Sequence, residues 1–305
     1  MGNPANDSLT GATNDLHTAP PYTEETPGGS SQPSEAPPDY HAAVAASPGR
    51  VSTPYRLFPP VMHARYQWKL TGTFHLCGAS PDERLYAAAA HTGYGGNLPR
   101  IVLHNGPSDK DPFLAAACEE RRAGRVDTYS INSIIQLPPA AGSDELATEV
   151  MRARTVGESG VGYAFAVEVS HDGKLVREDF EWRKAKKGSD EELKAGGFKL
   201  LRLSSRLKQE SGRSGTASSS CDATTEDGYE VVALFKWNKT LTNMMHPFEL
   251  RFVGAALSGS LGDRWALMAV ITGLRIWWLH AGGRANRKTA AVGEGGGSPG
   301  VYMSG

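Results

Sequence analysis

The chain has 305 residues, 39% of them hydrophobic and 21% charged, enough to build one large core or two small ones. Its formal net charge of -1 argues against general nucleic-acid binding, so no nucleic acid is expected as a partner. Three scattered cysteines, Cys77, Cys118 and Cys221, form no CxxC pair, and neither a disulfide framework nor a zinc site is indicated.

Residues 1–56 are rich in Pro, Ser, Thr, Gly and Ala and nearly free of large aliphatics. Such a segment cannot bury enough apolar surface to offset its ordering entropy, so it is expected to be a disordered arm. No charged region followed by an apolar stretch opens it, and no secretory signal peptide is expected. Inside the arm, Pro37, Pro38, Asp39 and Tyr40 spell PPxY. Two prolines hold the backbone near polyproline II and the tyrosine fills an aromatic pocket, which is how WW domains read their ligands. The partner implied is a WW-domain protein such as a HECT-class ubiquitin ligase, although a proline-rich arm also produces such tetrapeptides by chance.

The arm is acidic and the remainder is not. Residues 1–60 hold six of the 33 acidic and two of the 32 basic side chains, which leaves 30 basic against 27 acidic beyond them.

From Tyr66 to Cys77 apolar and polar residues alternate, which predicts one long strand with a single buried face. Further strands are predicted at 85–90, 101–105, 113–119, 126–137 and 145–155. Tyr163, Phe165, Val167 and Val169 alternate up to Asp172-Gly173, and Val176, Phe180 and Trp182 return beyond it. An Asp-Gly pair between two alternating runs predicts a tight hairpin. Strands at 198–203, 229–237 and 248–252 follow, and the Ser/Gly/Thr-rich stretch 204–228 reads as a flexible surface loop.

The run 263–281 is the one convincing helix, with Asp263 as its expected N-cap and Gly282-Gly283 as its stop. Only Thr272, Arg275 and His280 are clearly polar in it. A helix apolar nearly all round is buried either in protein or in a membrane. Mid-bilayer placement of Arg275 costs about 2.5–3.5 kcal/mol, which favours burial in protein. The lengths agree. An eleven-residue strand tilted about 40° spans roughly 28 Å, and the helix from Trp265 to Ala281 is about 25 Å long. The expected fold is therefore mainly β (α+β): a closed antiparallel barrel of about twelve strands over residues 57–288, enclosing a C-terminal hydrophobic helix. A disordered Gly-rich tail is expected at 289–305.

The passages PRIVLHNGPSDKDP (99–112), DFEWRKAKKGSDEE (179–192), EVVALFKW (230–237) and GSLGDRWALMAVITGLRIWW (259–278) resemble the tubby C-terminal-like superfamily. That superfamily includes the LURP-one-related proteins and the phospholipid scramblases, and the likeness is to a fungal branch of unknown function. The resemblance covers about residues 57–287 and implies a twelve-stranded barrel around a central helix. It also implies, for tubby-like members, phosphoinositide binding through basic side chains.

No motif places a nucleophile, a general base or a cofactor, so no enzyme activity, catalytic residue, metal site or cofactor is expected. Asp109 and Asp111 around Lys110 read as a plain turn. The candidate ligand site is Arg183, Lys184, Lys186 and Lys187, whose cations can meet an anionic lipid; the bland alternative is a solvated turn neutralised by Asp190, Glu191 and Glu192. The function expected is a non-enzymatic, cytoplasmic binding or adaptor module, attached peripherally to membranes if the basic run binds phospholipid. The alternative is a scramblase-like membrane-associated protein whose terminal helix inserts in the bilayer.

Overall fold

Twelve strands close into one antiparallel barrel in the computed structural model, which describes residues 57–66, 72–80, 82–91, 99–122, 125–126, 131–140, 143–157, 160–171, 174–185, 191–205, 225, 227–238 and 245–294. The strands are β1 (Val61–Tyr66), β2 (Thr73–Cys77), β3 (Arg84–Ala90), β4 (Ile101–His104), β5 (Phe113–Glu119), β8 (Ser133–Leu137), β9 (Ala147–Val156), β10 (Gly160–His171), β11 (Lys174–Lys184), β12 (Gly197–Arg202), β13 (Glu230–Trp237) and β14 (Phe248–Phe252). Each pairs with its neighbours in that order, and β1 closes the ring against β14 through Val61↔Arg251 to His63↔Glu249. A short ribbon of β6 (Arg121–Arg122) and β7 (Arg125–Val126) stands apart from the barrel.

The expected fold class is therefore observed. One boundary differs in a way that matters. The single strand expected from Tyr66 to Cys77 is two: β1 ends at Tyr66, β2 begins at Thr73, and Tyr66 lies opposite Phe74. Alternation alone could not show the break, because both rings face inward and the period resumes in phase on the return strand. Gly72 sits where the backbones crowd, since a Cβ there would lie 2.3 Å from the Ala90 carbonyl oxygen. Likewise the run expected at 126–137 divides into β7 and β8.

The hairpin of β10 and β11 has the expected register, from Gly162↔Arg183 to His171↔Lys174. Residues 172 and 173, which join its arms, lie outside the described residues. So do residues 1–56, most of the expected loop 204–228, and 295–305.

Inside the ring runs α1 (Asp263–Ala281), with thirteen of its 19 residues buried. Burial on every side explains its lack of a polar face, and each large side chain taken from water contributes about 1.5–3 kcal/mol. Gly262, at a positive φ of 81°, is the N-cap, and Asp263 is the first helical residue, one place inside the expected cap. There its carboxylate still meets the positive end of the helix dipole. Gly283 supplies the left-handed residue beyond the helix, at φ 68°.

The helix is not centred. It approaches β4, β5, β8 and β10 most closely, where the inward residues Ala115 and Ala117 are small. On the other side an aromatic wall spans the remaining gap. Trp277 lies 4.9 Å from Phe74 and 5.5 Å from Phe248, ring centre to ring centre, and Trp265 packs on Phe180 and Phe252. Gly273 admits Phe235 to the helix surface, as a Cβ there would lie 3.1 Å from the ring.

The tail reading 289–305 begins too early. A second helix, α2 (Arg287–Glu294), follows, capped by Asn286, whose Oδ1 accepts from the Thr289 amide at 3.1 Å. The Glu294 carboxylate accepts from the Thr155 amide at 2.7 Å and so ties α2 to β9. These contacts are remote in sequence, and composition alone carried no sign of them.

Candidate functional site

All the strand ends near the C-terminus of α1 belong to one mouth of the barrel, and basic side chains from several elements gather at and near it. Arg100 precedes β4, Arg152 and Arg154 lie on β9, Arg183 and Lys184 end β11, and Arg284, Arg287 and Lys288 follow α1. At the opposite mouth the connections carry Asp82, Glu83, Asp109, Asp111, Asp144 and Glu145, with Arg84 and Lys110 among them. The basic mouth also carries Glu119, Glu120, Glu191 and Glu192, so the two ends differ in the balance of charge and not in its sign alone.

The expected basic run divides on inspection. Arg183 is committed within the protein: its Nε donates to Glu181 at 2.6 Å, its Nη1 donates to Asp227 at 3.0 Å, and its guanidinium lies over the Tyr229 ring. Lys184 is exposed. Lys186 and Lys187 lie outside the described residues, as do Pro37, Pro38 and Tyr40. Glu181 also receives Arg154, so this part of the outer wall is a carboxylate held between two guanidinium groups. The turn 106–112 closes on itself, with the Asp111 carboxylate accepting from the Ser108 amide at 2.7 Å.

A second cluster lies inside the same mouth, and here Arg275 finds its surroundings. Its Nε donates to Ser133 Oγ at 2.9 Å, and its Nη2 lies 3.6 Å from Glu119 Oε1, an ion pair beyond hydrogen-bond distance. Each Glu119 oxygen also accepts from another arginine. Oε1 accepts from Arg284 Nη1 at 2.8 Å and Oε2 from Arg100 Nη2 at 2.7 Å. Arg275 Nη1 and Nη2, and the buried Tyr163 hydroxyl, have no hydrogen-bond partner among the described residues.

The strand period builds this cluster. Ala115, Ala117 and Glu119 share the inward face of β5, Ser133 continues the inward row of Ile135 and Leu137 on β8, and Tyr163 lies on the inward row of β10. Burial lowers the Arg275 pKa to about 10, against the attraction of Glu119 and with the repulsion of Arg284 and Arg100, so it remains a cation at neutral pH. Burial also pushes the Tyr163 phenol above its usual range, and the nearby Arg275 and Arg284 charges only partly oppose this. It is a neutral donor.

Arg100, Glu119, Ser133, Tyr163 and Arg284 were not singled out from the sequence. A usable signal existed: Glu119 and Ser133 interrupt otherwise apolar inward rows, as Arg275 interrupts the apolar helix. Three such interruptions in one core predict one another.

Among the described residues no helix is long and apolar enough to cross a membrane. The chain matches no protein-family profile, no curated protein and no solved structure.

Proposed function

We propose that the protein is a non-catalytic binding module, tubby-like in kind, that meets anionic phospholipid surfaces with the basic mouth of its barrel. The observation that carries this reading is the convergence of the exposed Arg152, Lys184, Arg287 and Lys288 on one end from separate elements, with acidic connections at the other. A charge asymmetry of this form orients a protein on an anionic surface, each near-surface cation contributing about 1 kcal/mol at low salt. The arm carrying Pro37, Pro38 and Tyr40 would then present a WW ligand beside the membrane, with a ubiquitin ligase of the HECT class as the fitting partner. On this reading the protein works in the cytoplasm, peripherally attached to membranes.

Co-sedimentation of the full chain with vesicles tests the lipid reading. Binding is expected with phosphatidylserine or phosphoinositide present, absent with phosphatidylcholine alone, and reversed by salt. Replacing Lys184, Lys186 and Lys187 with alanine should weaken it about 100-fold at low salt; sedimentation unchanged by all three substitutions would retire the patch. For the arm, Tyr40→Ala should abolish capture by an isolated WW domain, and undiminished capture would sink that part of the reading.

A further inference from the structure

Two buried side chains inside the basic mouth hold hydrogen-bond donors that no acceptor among the described residues fills: Arg275, with Nη1 and Nη2, and Tyr163, with its hydroxyl. Buried donors are almost always paired, because an unpaired one forfeits its hydration. The carboxylate beside them accepts from Arg100 and Arg284 and lies 3.6 Å from Arg275 Nη2, an ion pair beyond hydrogen-bond distance. One carboxylate, Glu119, is thus shared by three guanidinium groups. A water molecule could accept the hydrogen bonds but would leave that sharing as it is.

We propose that Arg275 and Tyr163 form the floor of a site for a phosphate-class oxyanion, free or carried on a larger molecule such as a lipid headgroup. A guanidinium presents paired N–H donors in the fork that matches two oxygens of such a group. The phenol supplies a third donor from β10. Both side chains are in the required state at neutral pH, Arg275 still protonated with its pKa lowered to about 10 and Tyr163 held neutral by burial. Arg284 forms the outer side, being 27% exposed where Arg275 is fully buried.

The inference does not depend on the lipid reading. Binding of inorganic phosphate to the full chain is measured by calorimetry and by melting temperature, with sodium chloride at matched ionic strength as reference. Phosphate is expected to bind and to raise the melting temperature above the chloride reference. Tyr163→Phe, which removes one buried hydroxyl and keeps the ring, should weaken binding at least tenfold, and Arg275→Met should abolish it. The Lys184, Lys186, Lys187 triple variant should bind phosphate as the wild type does.

Phosphate giving no more than chloride would overturn the site. So would wild-type affinity in Tyr163→Phe, or loss of binding in the lysine variant, which would move the anion to the exposed run. Should Arg275→Met fail to fold, Tyr163→Phe still decides. A second arm uses soluble inositol trisphosphate: tighter binding than inorganic phosphate assigns the oxyanion to a headgroup, and equal binding assigns it to free phosphate. Vesicle sedimentation and phosphate calorimetry fail separately, so loss of one reading leaves the other testable.

Discussion

Trp182 on β11 donates its indole N–H to Thr272 Oγ1 at the middle of α1, 2.9 Å away, and both side chains are fully buried. The same hydroxyl donates to the Met268 carbonyl one turn back at 2.7 Å. One hydroxyl therefore ties the helix to the wall and satisfies the buried Trp182 indole N–H. Thr272→Val keeps the shape and removes the acceptor, so the buried indole N–H is stranded. A loss of about 1–3 kcal/mol is expected in urea denaturation, with Thr272→Ser recovering most of it. A valine variant with an unchanged midpoint would show that the bond adds nothing.

The Glu119 cluster predicts an asymmetry between its members. Glu119→Gln removes the carboxylate that Arg100, Arg275 and Arg284 share and leaves three cations together, so stability should fall by about 3–5 kcal/mol. Arg275→Met removes the most deeply buried cation while Glu119 keeps two partners, and its denaturation midpoint should stay level or rise. Equal losses in the two variants would contradict the assigned pairing.

Acid should weaken the fold below about pH 6.5. Burial lowers the pKa of His75, with Arg84 and Arg65 acting the same way and the Pro107 carbonyl and Asp109 opposing. Burial, then the charge of His104, lowers that of His91. A depressed histidine pKa means that the unfolded chain binds more protons than the folded one below the ordinary value of 6.5. The stability these rings contribute is complete above that pH and is lost as pH falls through it. Denaturation midpoints measured between pH 7.5 and 5 should decline, and His75→Gln should flatten the slope while keeping a donor for the Pro107 carbonyl, 2.8 Å from Nε2.

The barrel should not outlive its helix. Removing residues 263–305 exposes Phe74, Phe235, Phe248, Trp182 and the rest of the inward wall to water, at about 25 cal/mol per Å² of apolar surface. The truncated chain is expected to aggregate or to show no cooperative unfolding transition. A soluble truncation with a sharp transition would mean that the wall packs on itself.

Much of this protein is determined by local sequence, because strand alternation and helix periodicity are local properties. The inward rows, the β10–β11 register and the buried fate of α1 all follow from side-chain period and from the absence of a polar helix face. Where the period stays in phase across a turn, as between Tyr66 and Phe74, the local pattern could not distinguish one strand from two. Partner choice is not local, and only the tertiary structure decided it. Arg275 meets Ser133 across 142 residues and Arg284 meets Glu119 across 165. The run Arg183–Lys187 looked like a site because its charges are adjacent in sequence, yet Arg183 is spent on Glu181 and Asp227. The basic mouth and its unfilled donors are assembled from residues scattered between Arg100 and Lys288, brought together by closure of the ring around the helix.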